Sequence, residues 1–251
     1  MTSPSLSAAL WRSTVPVHIT HPNHPNTPFI TSLPRFSYLA LLLPRLSTFF
    51  GVSISSFHYE DVQLRNLAVG VLVDLYDPVL PWRVTVGEGG GWDIGDTFLN
   101  SAKEADFVRN GNANQIMKMS KDDTTALWNA VVDNDHATFH RINARLLNTP
   151  SPLKHVPLRV YIPESDPQVR EGAGSFRIVQ RLVPAVGQDR RPQTLGVVLR
   201  NMMPELFPSV RDPVRVGAVM HGASVPFSAP VGELMREAAY PDGWLCLVIR
   251  V

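Results

Sequence analysis

Val69-Gly70-Val71-Leu72 is answered 162 residues later by Val231-Gly232-Glu233-Leu234, and Trp82 is answered by Trp244 at the same spacing. Earlier in each half, Leu39 and Leu195 match at a spacing of 156, as do Leu43 and Leu199. One such match carries little. Several in one order at nearly one spacing point to an internal duplication. The two copies lie at opposite ends of the chain, so whatever separates them is a unit of its own.

Outward from Val69–Trp82, the first copy reads as a small α+β domain. Val15-Pro16-Val17-His18-Ile19-Thr20 alternates as a strand does, and Pro16 suggests an edge position or a strand beginning. Phe29 to Leu33 supplies a second strand. Tyr38 to Phe50 is an apolar, helical segment closed by Gly51, with Pro44 either kinking it or opening its second part. Phe57-His58-Tyr59 reads as a strand, Asp61 as a turn, Val69 to Tyr76 as a short helix and Pro81 to Val86 as the closing strand. The order strand, strand, helix, strand, short helix, strand is that of a ubiquitin-like β-grasp domain, here residues 13–88. A short helix from Leu6 to Arg12 precedes it, with Leu6, Leu10 and Trp11 able to anchor it.

The second copy, residues 151–251, runs in the same order. Val156 to Ile162 is a strand, and a polar loop passes Gly172 and Gly174. Phe176 to Val183 is the hairpin partner, and Thr194 to Phe207 a helix. Val214 to Met220 is a strand, Val231 to Tyr240 a short helix and Trp244 to Ile249 the terminal strand.

Between the copies the hydrophobic period changes to about 3.6. Residues 89–95 read as a glycine-rich hinge, and no Gly-Lys-Ser/Thr ending makes them a phosphate loop. Residues 96–150 form a helix-rich domain. Asp96, Ser120 with Asp123, and Asp135 are positioned to cap its helices, and Asn110-Gly111 to end the first. Leu127, Trp128, Val131 and Val132 share one face, as do Phe139, Ile142 and Leu146. Pro150-Ser151-Pro152 ends the unit. In its first helix Phe98, Ala102 and Ala105 form an apolar stripe flanked by Leu99 and Val108. Lys103 lies away from that stripe, one of four lysines among 23 basic residues, which leaves nineteen arginines. A lysine amine can act as a nucleophile where a guanidinium cannot.

Composition excludes several function classes. A net charge of +1 gives no general drive toward nucleic acid, and no apolar run reaches the length of a membrane span. Met1 to Leu6 has neither the basic start nor the apolar core of a secretory leader, so none is expected. Cys246 is the single cysteine, which rules out an internal disulfide and suits a reducing, cytoplasmic setting. It falls in the terminal strand and reads as a core thiol. His18, His21 and His24 lie in a proline-rich turn with no carboxylate or cysteine beside them, so no metal site is expected. Asp122, Asp123, Asp133 and Asp135 sit at helix ends, where capping accounts for them. With no nucleophile elbow, nucleotide loop or ligand cluster, neither catalysis nor a cofactor is expected, and the residues by themselves point to a non-covalent, multidomain adaptor.

A resemblance refines this. Pro34-Arg35-Phe36-Ser37-Tyr38-Leu39, Leu80-Pro81-Trp82, Lys103-Glu104-Ala105-Asp106, Leu127-Trp128, Met220-His221-Gly222 and Tyr240-Pro241-Asp242-Gly243-Trp244 stand in one order along nearly the whole chain. In them the chain resembles the autophagy protein 5 family, in a form most like those of filamentous fungi. The resemblance implies two ubiquitin-like domains around a helix-rich domain and a non-enzymatic scaffold. It implies that Lys103 accepts the C-terminal glycine of the ubiquitin-like autophagy protein 12 through an isopeptide bond. The E1-like and E2-like conjugation enzymes, autophagy proteins 7, 10 and 3 among them, would be partners. So would the N-terminal helix of autophagy protein 16, seated in a cleft formed by all three domains. The assembly would be E3-like, promoting attachment of autophagy protein 8 to phosphatidylethanolamine, peripherally at the preautophagosomal structure membrane. Ordinary lysine amines are almost wholly protonated at neutral pH, and Glu104 and Asp106 next to Lys103 would not remove its proton. The conjugating enzyme is therefore expected to supply deprotonation, and this chain a rigid, presented amine.

Overall fold

The computed structural model describes residues 5–89, 93–147, 153–164 and 176–250. Helix α1 (Leu6–Arg12) leads into strands β1 (Thr14–His21) and β2 (His24–Pro34). A 3-10 turn, Leu39–Leu42, runs straight into α2 (Leu43–Phe50), so Pro44 opens a helix and does not kink one. Gly51 ends α2 at a φ of +69°, a conformation that favours glycine. Strands β3 (Ser56–Tyr59) and β4 (Val62–Gln63), helix α3 (Val69–Tyr76) and strand β5 (Trp82–Gly87) complete the unit. Its sheet has the order β2-β1-β5-β3-β4, with β1 and β5 parallel at the centre. Pro16 is thus not on an edge strand. It faces Ser32 of β2, and the pairing with β5 begins only at Val17, so no ladder bond needs the missing N–H on that side.

The second unit repeats this order. It contains β6 (His155–Val156), β7 (Leu158–Pro163), β8 (Phe176–Gln180), β9 (Val183–Pro184) and α8 (Leu195–Met202). Strand β10 (Gly217–Met220), β11 (Ala223–Ser224), α9 (Val231–Ala238) and β12 (Leu245–Arg250) follow. Read from the other edge, its sheet runs β8-β7-β12-β10-β11, with β7 and β12 parallel, which is the first sheet strand for strand. Two expectations change here. Val183 leaves the hairpin and pairs with Val156 of β6. The helix from Thr194 stops at Met202, because Pro204 disfavours helical backbone in the residue before it. The polar loop past Gly172 and Gly174 lies outside the described residues.

The duplication is gapless through the short helices, since α3 and α9 begin 162 residues apart, but not into the last strand. Trp82, Val84 and Val86 face the core of the first unit. In the second unit that role falls to Leu245, Leu247 and Ile249, while Trp244, Cys246 and Val248 face the opposite way. The register agrees, with Val17 opposite Trp82 and Leu158 opposite Leu245. The connection into β12 is one residue longer, and in a strand a one-residue shift exchanges the two faces. Trp82 therefore corresponds to Leu245, and Trp244 is not a structural copy of Trp82.

Between the units lie α4 (Ile94–Asn110), α5 (Asn114–Met117), α6 (Lys121–Val132) and α7 (His136–Leu147). The first helix starts earlier than the sequence suggests: Asp93 is the N-cap, its side chain accepting from Asp96 N at 3.0 Å, so residues 94 and 95 belong to the helix and not to the linker. Residues 90–92 of the glycine-rich hinge, and Pro150-Ser151-Pro152, lie outside the described residues. Ser120 and Asp135 cap as expected, accepting from Asp123 N at 3.0 Å and Thr138 N at 3.1 Å. Val132 points outward, and Ala130 takes its place in the interior.

Each ubiquitin-like unit has its own core, and a third core joins all three domains. Phe36, Tyr38 and Val71 from the first unit enter it, as do Phe98, Leu127 and Ile142 from the helical domain and Tyr161, Trp244 and Val248 from the second unit. Helix α1 seals one side through Trp11, which packs edge-on against Phe36 and against Phe139 of α7; Leu6 stays exposed and anchors nothing. Strand β12 is consequently buried on both faces from Leu245 to Ile249. Because the common core draws on every domain, none can move without exposing apolar surface held by the other two.

Candidate functional site

The Lys103-Glu104-Ala105-Asp106 stretch occupies the middle of α4, and each residue has a different environment. Ala105 is fully buried in the common core. Asp106, also fully buried, turns inward. Its Oδ2 accepts from the backbone N–H groups of Gln115 and Ile116, at 2.9 and 3.1 Å, and its Oδ1 accepts from Asn110 Nδ2 at 2.7 Å. It thereby supplies acceptors to the first turn of α5, a short helix the sequence pattern did not reveal. Glu104 reaches across to the second ubiquitin-like unit, where its Oε2 lies 2.7 Å from Arg159 Nη2. Lys103 is half-buried, and its Nζ donates to Asn100 Oδ1 at 3.4 Å in an exposed contact. Neither neighbouring carboxylate pairs with it. One turn further along the same face, Phe107 is 59% exposed, a large aromatic ring left in water beside the lysine.

The helix is held by the turn between α9 and β12. Ser101 Oγ donates to Asp242 Oδ2 at 2.7 Å and accepts from Arg159 Nη1 at 3.0 Å, and Trp244 Nε1 donates to the Ser101 carbonyl at 3.0 Å. The Arg159 guanidinium lies 3.9 Å above the Trp244 ring, a cation–π contact. At the other end of the turn, Arg109 Nη2 donates to the Gly243 carbonyl at 2.9 Å. Gly243 has a φ of +87°, and a Cβ there would fall 1.9 Å from Arg109 Nη2. Burial draws the Arg109 guanidinium down to a pKa of about 10, against the opposing pull of Asp106 and Asp242. It remains charged at neutral pH. The one-residue shift into β12 aims Trp244 at this helix, so the departure from exact repetition is what makes the lysine helix a docked element.

A second set of contacts fastens the two ubiquitin-like units to each other. Within the first unit Arg35 Nη2 lies 2.5 Å from Asp74 Oδ1 and 3.2 Å from the Gly70 carbonyl, holding in place the helix end that the second unit meets. Arg250 reaches back to Asp77 at 2.8 Å and to the Asp74 carbonyl at 2.9 Å. The Met220-His221-Gly222 turn inserts beside Phe36 and Tyr240. His221 Nε2 donates to the Ala238 carbonyl at 2.8 Å, and burial lowers its pKa to about 4. Where the three domains meet, Tyr38, Leu67, Phe98, Arg159, Tyr161 and Cys246 line a small cavity of about 90 Å³. Burial pushes the Cys246 thiol far above its ordinary pKa, which suits a core residue and not a nucleophile.

His21 and His24 are brought together by ring packing: their centroids are 5.7 Å apart with the rings tilted, and both pack on Phe50. Asp123 pairs with Arg145, and Asp135 caps α7, as helix-end residues do. Among the described residues no group of three or more potential ligands could hold a metal. No described helix is long and apolar enough to cross a membrane. The sequence pattern missed Arg159, Ser101 and Arg109, the residues that seat the lysine helix. The signals available were a serine and an arginine on the apolar side of an otherwise regular helix, and a glycine between an aspartate and a tryptophan.

Known proteins share this organisation throughout. Three family models match in order: the autophagy protein ATG5 UblA domain at residues 10–87, its alpha-helical bundle region at 93–149 and its UblB domain at 155–249. The chain is 65% identical to autophagy-related protein 5 of Gibberella zeae over the full length of both, and 60% identical to that of Beauveria bassiana over 99% of each. The crystal structure of Kluyveromyces marxianus Atg5 superposes with a TM-score of 0.76 at 20% identity, covering 98% of this chain and 99% of that one, and so shares its fold. With both ubiquitin-like domains, the helical bundle between them and near-complete relatives accounted for, the chain belongs to the autophagy protein 5 family.

Proposed function

We propose that this chain is the scaffold of an autophagy conjugate in which Lys103 carries autophagy protein 12 through an isopeptide bond. The observation that carries this reading is the division of roles within the motif. Glu104 reaches across to Arg159, Ala105 is in the core and Asp106 caps α5, whereas Lys103 contacts only Asn100 of its own helix, on a helix its neighbours hold in place. In the reaction the neutral Nζ attacks the thioester carbonyl between the modifier's terminal glycine and a cysteine of the E2-like enzyme. The N–C bond forms, the C–S bond breaks, the thiolate leaves, and the amine proton passes to the enzyme or solvent. Nothing beside Lys103 acts as its base, so the enzyme does so, and this chain contributes orientation. The exposed Phe107 supports a protein-docking surface next to the acceptor.

The convergence of all three domains supports the second part of the reading. In this reading the amphipathic N-terminal helix of autophagy protein 16 lies in a cleft formed by all three domains. The conjugate then promotes transfer of autophagy protein 8 to phosphatidylethanolamine, in the cytoplasm and peripherally at the preautophagosomal membrane. Reconstituted conjugation with autophagy proteins 7, 10 and 12 tests the acceptor. Lys103→Arg abolishes the mass shift if the assignment is correct, whereas full conjugation of that variant, or equal transfer to Lys118 or Lys121, overturns it. For the cleft, the autophagy protein 16 peptide is expected to protect the seam between the domains from hydrogen exchange; unchanged exchange at saturating peptide refutes the reading.

A further inference from the structure

Strand β2 is the outermost strand of the first sheet, and one contact fixes which of its backbone groups are free. Arg35 N donates to the Ser13 carbonyl at 3.0 Å, and further along the same antiparallel ladder Val15 stands opposite Leu33, Val17 opposite Thr31 and Ile19 opposite Phe29. Bonded pairs alternate with unbonded ones in such a ladder. Phe29, Thr31 and Leu33 therefore turn their N–H and C=O groups toward β1, while Ile30 and Ser32 turn theirs to the open edge. Pro28 and Pro34 share the outward parity and have no N–H to offer. Between these prolines the outward donors are those of Ile30 and Ser32, and among the described residues no hydrogen bond reaches them. We propose that this edge takes up an extended acidic segment of another protein, apolar at its centre, as a further strand of the first sheet.

Exposed apolar groups flank the edge on both sides. Ile30, 69% exposed, stands on the outer face of the sheet. On the helix side Phe49, 46% exposed, meets Phe29 edge-on, with ring centroids 5.2 Å apart. An added strand buries both flanks, because its side chains alternate between the two faces of the sheet. Edge strands are commonly closed by lysine, proline or an inward charge; here the prolines bracket the opening and leave it unclosed. Charge selects the partner. All 22 carboxylate side chains of the chain lie at or after Glu60, so β1, β2 and α2 carry none, while the same stretch has the arginines Arg12, Arg35 and Arg45. Arg12 belongs to α1 and Arg35 is held by Asp74. Arg45 is left beside the edge, exposed, its guanidinium 5.4 Å from the centre of the Phe29 ring and in no ion pair among the described residues. An acidic segment laid along β2 finds this cation and no like charge on the strands and helix around it. A second copy of the chain fits less well, since pairing β2 with β2 joins two surfaces that both lack carboxylates and leaves each Arg45 without a counter-charge. This role is independent of conjugation at Lys103, which lies in the helical domain.

The test uses the full chain and a short synthetic peptide of alternating valine and threonine with glutamates at both ends, compared with the same peptide carrying lysines in place of the glutamates. Saturable 1:1 binding of the acidic peptide is expected, about tenfold or more tighter than that of the basic one and weakened by salt. Amide exchange followed by NMR should slow at Ile30 and Ser32 on binding, while Phe29, Thr31 and Leu33, already bonded to β1, change little. Arg45→Glu should weaken binding by about tenfold. Ser32→Pro should abolish it and leave the ladder to β1 intact, because position 32 turns its N–H away from β1. If that variant fails to fold, a peptide N-methylated at its central residues, whose methyl groups keep the two backbones apart, makes the same test on the parent chain and should not bind. No binding of the acidic peptide, equal binding of the basic one, full binding of the methylated one, or unchanged exchange at Ile30 and Ser32 at saturation overturns the proposal. So does flotation with phosphatidylserine vesicles that Arg45→Glu abolishes while the peptide fails to bind, which would give the surface to a membrane. A dimer that Ser32→Pro dissolves would give it to a second copy and overturn the proposal as well.

Discussion

Replacing Asp106 by alanine should destabilise α4 from within without touching Lys103. The side chain is wholly buried and accepts three hydrogen bonds, two of them from the backbone N–H groups that begin α5. Alanine leaves those two donors without a partner, at a cost of about 1–3 kcal/mol each. It also removes a negative charge that offsets the buried Arg109. Together these put the loss at about 3–5 kcal/mol, the range for breaking one side of a buried charged network. For a chain of this size each kcal/mol is about 2–4 °C, so the unfolding midpoint should fall by about 6–20 °C. Asp106→Asn retains an oxygen acceptor of the same shape and should lose only about 1–3 kcal/mol. Thermal and urea denaturation of the three proteins provide the measurement, with Lys103→Arg as a surface control expected to stay within about 0.5 kcal/mol of the parent. An Asp106→Ala protein as stable as the parent would refute the claim that this residue serves the fold. So would a conjugation defect in Asp106→Asn with stability intact, which would make the carboxylate part of the chemistry.

Three further outcomes follow from the same contacts. Gly243→Ala sets a Cβ against Arg109 Nη2 at a φ of +87°, and should lose about 2–4 kcal/mol in urea denaturation, whereas Gly51→Ala, at +69° with open space around it, should lose only about 1 kcal/mol. In a double-mutant cycle, Trp244→Phe and Arg159→Met should show a coupling of about 0.5–2 kcal/mol from the cation–π contact; additive losses would mean that the two side chains touch without interacting. His221 is held neutral, with a pKa near 4 in the fold against about 6.5 unfolded, so between those values the unfolded chain binds more protons. Its contribution is therefore complete above about pH 6.5 and is lost as pH falls toward 4. Stability measured from pH 7 to 4 should fall less steeply in His221→Phe than in the parent, and parallel curves would rule the effect out.

Most of the architecture was legible because it rests on local patterning. Alternation at Val15–Thr20, the 3.6-residue period of Phe98, Ala102 and Ala105, and the caps at Ser120 and Asp135 are all decided within one or two turns of chain. What was not legible depends on distance. Asp106 looks like a charged neighbour of Lys103 until α5 is folded back onto it. Arg159 is an ordinary outward strand residue until Glu104, Ser101 and Trp244 surround it. The apparent Trp82–Trp244 repeat is real as sequence and wrong as structure, because one added residue before β12 exchanges its faces, and identity at a fixed spacing does not report which side of a sheet a residue occupies. The proposed acceptor, Lys103, was nominated by resemblance. Periodicity placed its side chain away from the core but gave no reason to prefer it over Lys118 or Lys121.

The seating of α4 on Trp244 and Gly243 has a consequence in time. Lys103 leaves the ribosome about 140 residues before the tryptophan that buries its helix, and at ordinary rates of synthesis that is a delay of roughly 7–28 s. During that interval the first ubiquitin-like unit has all its strands, but the helix after it has no surface to rest on. The lysine is therefore positioned only after β12 has been made. A chain that stops short of β12 displays the same four-residue motif without the geometry, so under the proposed conjugation the dependence of the helix on β12 would reserve Lys103 for chains that carry that strand.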